Sequence, residues 1–159
     1  KTQKINFLVH SKTIKVFEVF GEKTINMKIF FICRHNKFRS KVAEAIFNQL
    51  NKNKKIKAES AGIIGSEHKT PESVVKVLKE KGYIFRNRVA RRVDSVKIND
   101  YDILIIVASN VEPEFFKDSF NGKIIWWKIS DCDEKDILGI RKRVDEIEKR
   151  VRGLVKELG

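Results

Sequence analysis

Cysteine, proline and methionine are nearly missing from this chain, whose 159 residues include Cys 2, Pro 2 and Met 1. Two cysteines, Cys33 and Cys132, are too few for a disulfide scaffold, and such scarcity fits a reducing compartment. With Gly 8 and Pro 2, collagen-like and low-complexity chains are excluded. No apolar run approaches the roughly 18 residues of a membrane span; the longest, residues 103–108, reads ILIIVA. The opening residues carry a lysine every few positions and no small-residue cleavage site, so no signal peptide is read there. His 3 and Cys 2, all scattered, give no metal-ligand spacing, so no metal and no cofactor are expected. The bounds point to a soluble, cytoplasmic, single-domain protein.

What the chain has is positive charge. Lys+Arg 34 against Asp+Glu 21 gives +13 at pH 7. Such a surface favours anionic partners. The basic residues are scattered, however. Their densest cluster, Arg86, Arg88, Arg91 and Arg92, has no interleaved aromatics of the kind a single-strand binder uses, so nucleic acid is not the expected partner.

Along the chain, residues 1–26 read as an extension. Two β-prone runs, 4–9 and 12–20, meet at His10 and Ser11 and suggest a hairpin. A strand starts directly after the sole methionine, Met27, and residues 27–159 form the candidate main domain. Residues 28–33 (KIFFIC), 103–109 (ILIIVAS) and 123–129 (KIIWWKI) are apolar runs of the kind buried on both faces, with a shorter strand at 55–60. Helical stripes occupy 40–50 and 134–158, the latter through Ile140, Val144, Ile147, Val151, Leu154 and Leu158. Between them, Thr70 and Pro71 open a helix that ends at Gly82 and buries Val74, Val75 and Leu78. Trp126 and Trp127 fall on opposite faces of their strand. Alternating strands and helices predict an α/β three-layer sandwich with a central parallel sheet of about four strands and helices on both faces.

In such sheets, sites form where a strand's carboxyl end runs into a helix. The first such junction reads Cys33-Arg34-His35-Asn36-Lys37-Phe38-Arg39-Ser40. A loop of this length curls its backbone N–H groups into an anion nest, and the following helix adds its positive end. The Arg39 guanidinium offers a planar fork for two phosphate oxygens. An electropositive cup favours the thiolate of a cysteine, which is the nucleophilic form, and Ser40 can donate to that sulfur. Arg34, His35, Asn36, Lys37, Phe38 and Ser40 are thus candidate substrate-binding residues around Cys33 and Arg39. His35 is read as a loop-holding residue rather than a base, and His10 and His68 as solvated.

With strand, C-x5-R-S and helix in this order, residues 27–158 resemble the low-molecular-weight protein tyrosine phosphatase superfamily, which includes thioredoxin-coupled arsenate reductases. Cys33, Arg39, Ser40, Ala43 and Glu44 match its opening motif, Ser60-Ala61-Gly62 a second one, and Tyr101-Asp102-Ile103 a third. Trp127 through Asp131 and the long final helix match its C-terminal part. The resemblance implies a phosphomonoester hydrolase with a phosphocysteine intermediate on Cys33. Arg39 would clamp the phosphoryl group and Asp131 would be the general acid and base. Asn36, Ser40 and Ser60 would brace the loop, with Asn36 left-handed. The implied substrate is a phosphotyrosine protein or a small aryl phosphate.

Departures from the family pattern keep other readings in view. His35 and Phe38 stand where the phosphatases carry Gly and a second Cys, and Asp131-Cys132 replaces Asp-Pro. The His35-Asn36 pairing leans toward arsenate reductase, which would use Cys33 with an external thiol or with Cys132 as a resolving thiol. The relay cysteines of the thioredoxin-coupled enzymes have no counterpart in residues 107–114. A non-catalytic anion or nucleic-acid binder on the same fold is the remaining alternative.

Overall fold

The computed structural model describes residues 6–9, 12–15, 26–65 and 69–159. His10, Ser11 and His68 lie outside the described residues. Strands β1 (Asn6–Val9) and β2 (Lys12–Lys15) pair antiparallel, with Asn6 opposite Lys15 and Val9 opposite Lys12, as a hairpin would.

The main domain then alternates. In chain order come β3 (Met27–Cys33), α1 (Arg39–Leu50), β4 (Ile56–Gly62), α2 (Glu72–Glu80), β5 (Ile103–Val107), β6 (Lys123–Trp127) and α3 (Ile137–Leu158). The four strands form one parallel sheet in the order β4-β3-β5-β6. β3 is central and almost fully buried, which explains its unbroken apolar run. The chain leaves β3 toward β4 on one side and returns to β5 on the other. A topological switch point therefore opens at the carboxyl ends of β3 and β5, and Cys33 is the last residue of β3 there.

The two faces of the sheet are covered differently. One apolar cluster takes Ile29 and Phe31 of β3, Val42, Ile46 and Phe47 of α1, Leu78 of α2, and Ile140, Val144 and Ile147 of α3. All three α-helices contribute to it. The other face gathers Phe30, Ile32, Leu104 and Ile106 under Tyr101, Phe116 and Phe120, covered by short 3-10 turns such as Pro113–Phe116. The paired tryptophans separate as the alternation predicts. Trp127 joins the helical layer, whereas Trp126 is half-buried on the other face and donates from Nε1 to the Ala108 carbonyl at 2.7 Å.

Element boundaries differ at two helix starts. Thr70 does not cap α2; it is buried, with its hydroxyl 3.4 Å from the Arg88 carbonyl, and Pro71 stands at the N-cap. α3 starts at Ile137 rather than at 134, because Asp136 caps it by accepting the Gly139 N–H at 2.9 Å. Within α2 the buried residues are Val74, Val77 and Leu78, while Val75 is half-exposed. The stripe follows the i, i+3, i+4 spacing more strictly than valine content suggests. Val77→Ala is accordingly expected to cost about 1–3 kcal/mol and Val75→Ala less than half as much, a difference that urea unfolding of the two variants resolves.

Candidate active site

The segment from Arg34 to Phe38 joins β3 to α1 and wraps around the Cys33 sulfur. The backbone N–H of Asn36 points at Sγ from 3.3 Å. The Ser40 hydroxyl lies 2.9 Å from Sγ, and Ser40 Oγ itself accepts from Asn36 Nδ2 at 2.8 Å. With that lone pair occupied, the hydroxyl proton is free to point at sulfur. No side chain caps the start of α1, so its first-turn N–H groups have no side-chain acceptor.

Asn36 holds this loop in shape. It is the sole non-glycine residue with positive φ (57°) among the described residues, and it is fully buried. Asparagine tolerates the left-handed region, and here its side chain bonds in three directions. Nδ2 also donates to Ser60 Oγ at 2.9 Å, and Oδ1 accepts the Arg91 backbone N–H at 2.9 Å. Ser60 Oγ in turn donates to Glu44 Oε1 at 2.5 Å. A chain of hydrogen bonds thus runs from Glu44 through Ser60, Asn36 and Ser40 to Cys33. Burial pushes the Glu44 carboxyl above the ordinary carboxylate range, opposed by the Ser60 bond and the charges of Lys41 and Arg91. Lys41, buried 3.9 Å from Glu44, is pushed below the usual lysine range by the same desolvation.

Arg39 is 2% exposed. Its NH1 donates to the Ile129 carbonyl at 2.9 Å and to Asn110 Oδ1 at 3.1 Å, and its NH2 faces Asp131 Oδ2 at 3.4 Å. These contacts gather the segments after β5 and β6 around the Cys33 loop. The resulting cavity measures about 310 Å³ and is lined by Cys33, His35, Lys37, Phe38, Arg39 and, across from them, Asp131 and Cys132. Pro71, Val74 and Ile140 supply an apolar wall. Cys33 is buried yet reaches this cavity as its floor.

The sequence-predicted residues therefore converge, in distinct places. Cys33, Arg39 and Asp131 meet at one cavity with His35, Lys37 and Phe38. Asn36, Ser40 and Ser60 lie behind the loop and touch one another rather than the cavity. Arg34 is half-exposed, and its carbonyl accepts the Ile64 N–H at 2.9 Å. Burial and the neighbouring Lys37 and Arg34 charges push the His35 imidazole below its ordinary value. Burial pushes the Cys132 thiol up, which keeps it protonated and slow as a nucleophile.

Four contributors carried no site role in the sequence reading. Asn110 holds Arg39, Arg91 presents its N–H to Asn36, Glu44 anchors Ser60, and Gly62 lets the loop approach β4. A Cβ on Gly62 would stand 2.7 Å from the His35 carbonyl carbon, 2.8 Å from the Asn36 nitrogen and 2.9 Å from the Arg34 oxygen. Glycine inside a strand signals such a close approach and was visible in Ser60-Ala61-Gly62. Asn110 and Arg91 had no local signal.

Two predictions come from this geometry. Gly62→Ala presses on backbone that cannot yield without moving the loop, and it is expected to destabilise the fold by about 1–3 kcal/mol and to weaken phosphate binding, read by calorimetry. Glu44 is raised in the folded state, so its protonation favours folding. Its contribution is full below the unfolded value near 4.5 and is lost as pH rises through the higher folded value. Glu44→Gln keeps an acceptor for Ser60 and should flatten the stability-versus-pH slope in that window, measured by urea unfolding between weak acid and neutrality.

Comparison with known proteins agrees with this geometry. Residues 28–159 match the family described as low molecular weight phosphotyrosine protein phosphatase. The low molecular weight protein-tyrosine-phosphatase YfkJ of Bacillus subtilis (strain 168) is 33% identical over 122 residues, covering 70% of this chain and 78% of that protein. A solved arsenate reductase from Archaeoglobus fulgidus superposes with a TM-score of 0.67 at 33% identity, over 80% of this chain and 98% of that one. The YwlE arginine phosphatase from Geobacillus stearothermophilus shares the fold, with a TM-score of 0.68 at 21% identity over 83% and 92% of the two chains. A switch-point strand ending in Cys33, a buried Arg39 at the same cavity and a family match over residues 28–159 together place this chain in the low molecular weight phosphotyrosine protein phosphatase family.

Proposed function

We propose that the chain hydrolyses phosphomonoesters through Cys33, with Arg39 and Asp131 as its partners in the chemistry. The observation that carries the reading is the convergence of these three side chains on one cavity behind an ordered loop. The Cys33 thiolate attacks phosphorus, a sulfur–phosphorus bond forms and the ester P–O bond breaks. Asp131 gives its proton to the departing oxygen. Water then attacks the phosphocysteine, Asp131 takes back a proton, and the sulfur leaves as thiolate while phosphate is released. Arg39 and the loop N–H groups stabilise the charge that grows on the equatorial oxygens. Ser40 supports the sulfur both as nucleophile and as leaving group. His35, Lys37 and Phe38 border the phosphate from the loop, together with the Arg34 backbone.

The substrate class is an aryl phosphate, either on a protein tyrosine or on a small molecule. The apolar wall of Pro71, Val74 and Ile140 supports a flat, uncharged leaving group beside the cup. Residues 27–159 form the catalytic unit in this reading, and residues 1–26 are an extension to it. No described helix is long and apolar enough to cross a membrane.

Arsenate reduction is the second reading, favoured by the resemblance to the Archaeoglobus fulgidus protein. Cys132 borders the same cavity as Cys33 and is the candidate resolving thiol, although its raised protonation slows that role.

Release of aryl alcohol from para-nitrophenyl phosphate in weak acid discriminates the two. Cys33→Ser is expected to abolish it, and Asp131→Ala to slow it by about 100-fold or more. Arsenate-dependent oxidation of an added thiol, with no phosphatase turnover, would instead establish the second reading.

A further inference from the structure

After β6 the chain is anchored at Ile129, which is buried and whose carbonyl accepts from the Ser109 N–H and Arg39, but the next two residues, which include the acid, have no such backbone support. Residues 128–133 have no regular secondary structure, and among the described residues no backbone–backbone hydrogen bond reaches Ser130 or Asp131. The residue after Asp131 is Cys132, which lacks the ring that would fix the local φ angle. Yet the carboxylate has a defined direction. Oδ1 accepts the Cys132 N–H at 2.9 Å, which turns Oδ2 toward Arg39 at 3.4 Å.

One side chain holds the backbone of Ser130 and Asp131 directly. Arg143, half-exposed on α3, donates from Nε to the Ser130 carbonyl at 3.0 Å and from NH2 to Ser130 Oγ at 3.0 Å and to the Asp131 carbonyl at 3.1 Å. Its NH1 returns to the Gly139 carbonyl at 3.1 Å, so the guanidinium is itself anchored to the first turn of α3. A planar fork can make this set of bonds at once; a single ammonium cannot.

We propose that Arg143 is the positioning residue for Asp131, fixing the acid-bearing segment to α3 so that the carboxyl meets the leaving oxygen. This rests on the reading of Asp131 as general acid given above. Arg143 touches no reacting atom; it acts through the backbone of residues 130–131. Proton transfer needs heavy atoms within hydrogen-bond reach, and a displacement of about 1 Å can cost 100-fold. The effect must therefore depend on how much the leaving group needs a proton.

The test compares kcat/KM for phenyl phosphate, a poor leaving group, and dinitrophenyl phosphate, a good one, using the full chain. Arg143→Met is expected to lose about 10–100-fold on the phenyl ester but less than about threefold on the dinitrophenyl ester, whose anion departs unaided. Arg143→Lys should recover only part of the loss. In an Asp131→Asn background, Arg143→Met should cost nothing further, since the two act through one proton transfer. Melting transitions check that each variant is folded. Equal losses on both esters, or additive losses in the double variant, would overturn the proposal and leave the phosphatase reading intact. A parent chain with no Cys33-dependent hydrolysis of either ester would overturn both.

Discussion

The carboxamide of Asn36 joins several separate pieces of chain at one point. It ties its own loop to the start of α1 through Ser40, to β4 through Ser60, and to the stretch after α2 through the Arg91 N–H. The left-handed backbone at this residue is unfavourable by about 1–2 kcal/mol for an ordinary side chain, which three bonds worth about 1 kcal/mol each offset. What they secure is the direction of the loop N–H groups. An anion cup built on backbone dipoles works only while those dipoles stay aligned, and they do not have to reorganise when charge arrives. Ser40 completes the arrangement by serving both the scaffold and the sulfur.

Arg39 poses the opposite problem, because a buried cation is costly unless its donors are met. Here they reach a carbonyl, an amide and a carboxylate drawn from two different strand ends. The guanidinium therefore organises the cavity rim through the segments after β5 and β6. Asp131 shares in this. Its pairing with Arg39 keeps it over the cup, and Arg143 secures its backbone from the outer side. The two arginines approach one short irregular segment from opposite directions, so a stretch without secondary structure still has a defined place.

Much of this could be read from the chain before folding. The apolar run of 28–33, the amphipathic stripe after it and the Cys-to-Arg spacing between them are local patterns, and they locate the loop, its nucleophile and its guanidinium. The parallel sheet follows from the alternation of strands and helices. Less legible were the residues whose work depends on contacts distant in sequence. Asn110 and Arg91 sit in irregular stretches with no periodicity, and only the strand order brings them to Arg39 and Asn36, respectively. Arg143 reads as one more polar position on an amphipathic helix. Thr70 beside Pro71 resembled a helix cap, but the Arg88 backbone competes for that hydroxyl. The expectation of helices on both faces is met by α-helices on one face and only short 3-10 turns on the other, since hydrophobic period reveals that a helix is covered and not which side of the sheet covers it.

The separation of Trp126 from Trp127 has a consequence of its own. One indole lies 5.9 Å from Phe31 within the helical layer, and the other lies beneath the Lys128 ammonium at 4.4 Å on the opposite side of the sheet. Adjacent in the chain, they report on different surroundings: the first on a buried interior with the Arg150 guanidinium 6.0 Å from its ring, the second on a half-buried surface beneath a lysine. The protein thus carries two native fluorophores whose emission colours differ, and collisional quenchers will reach one well before the other. Loosening of the helical layer can be watched separately from events on the far face without attaching any label.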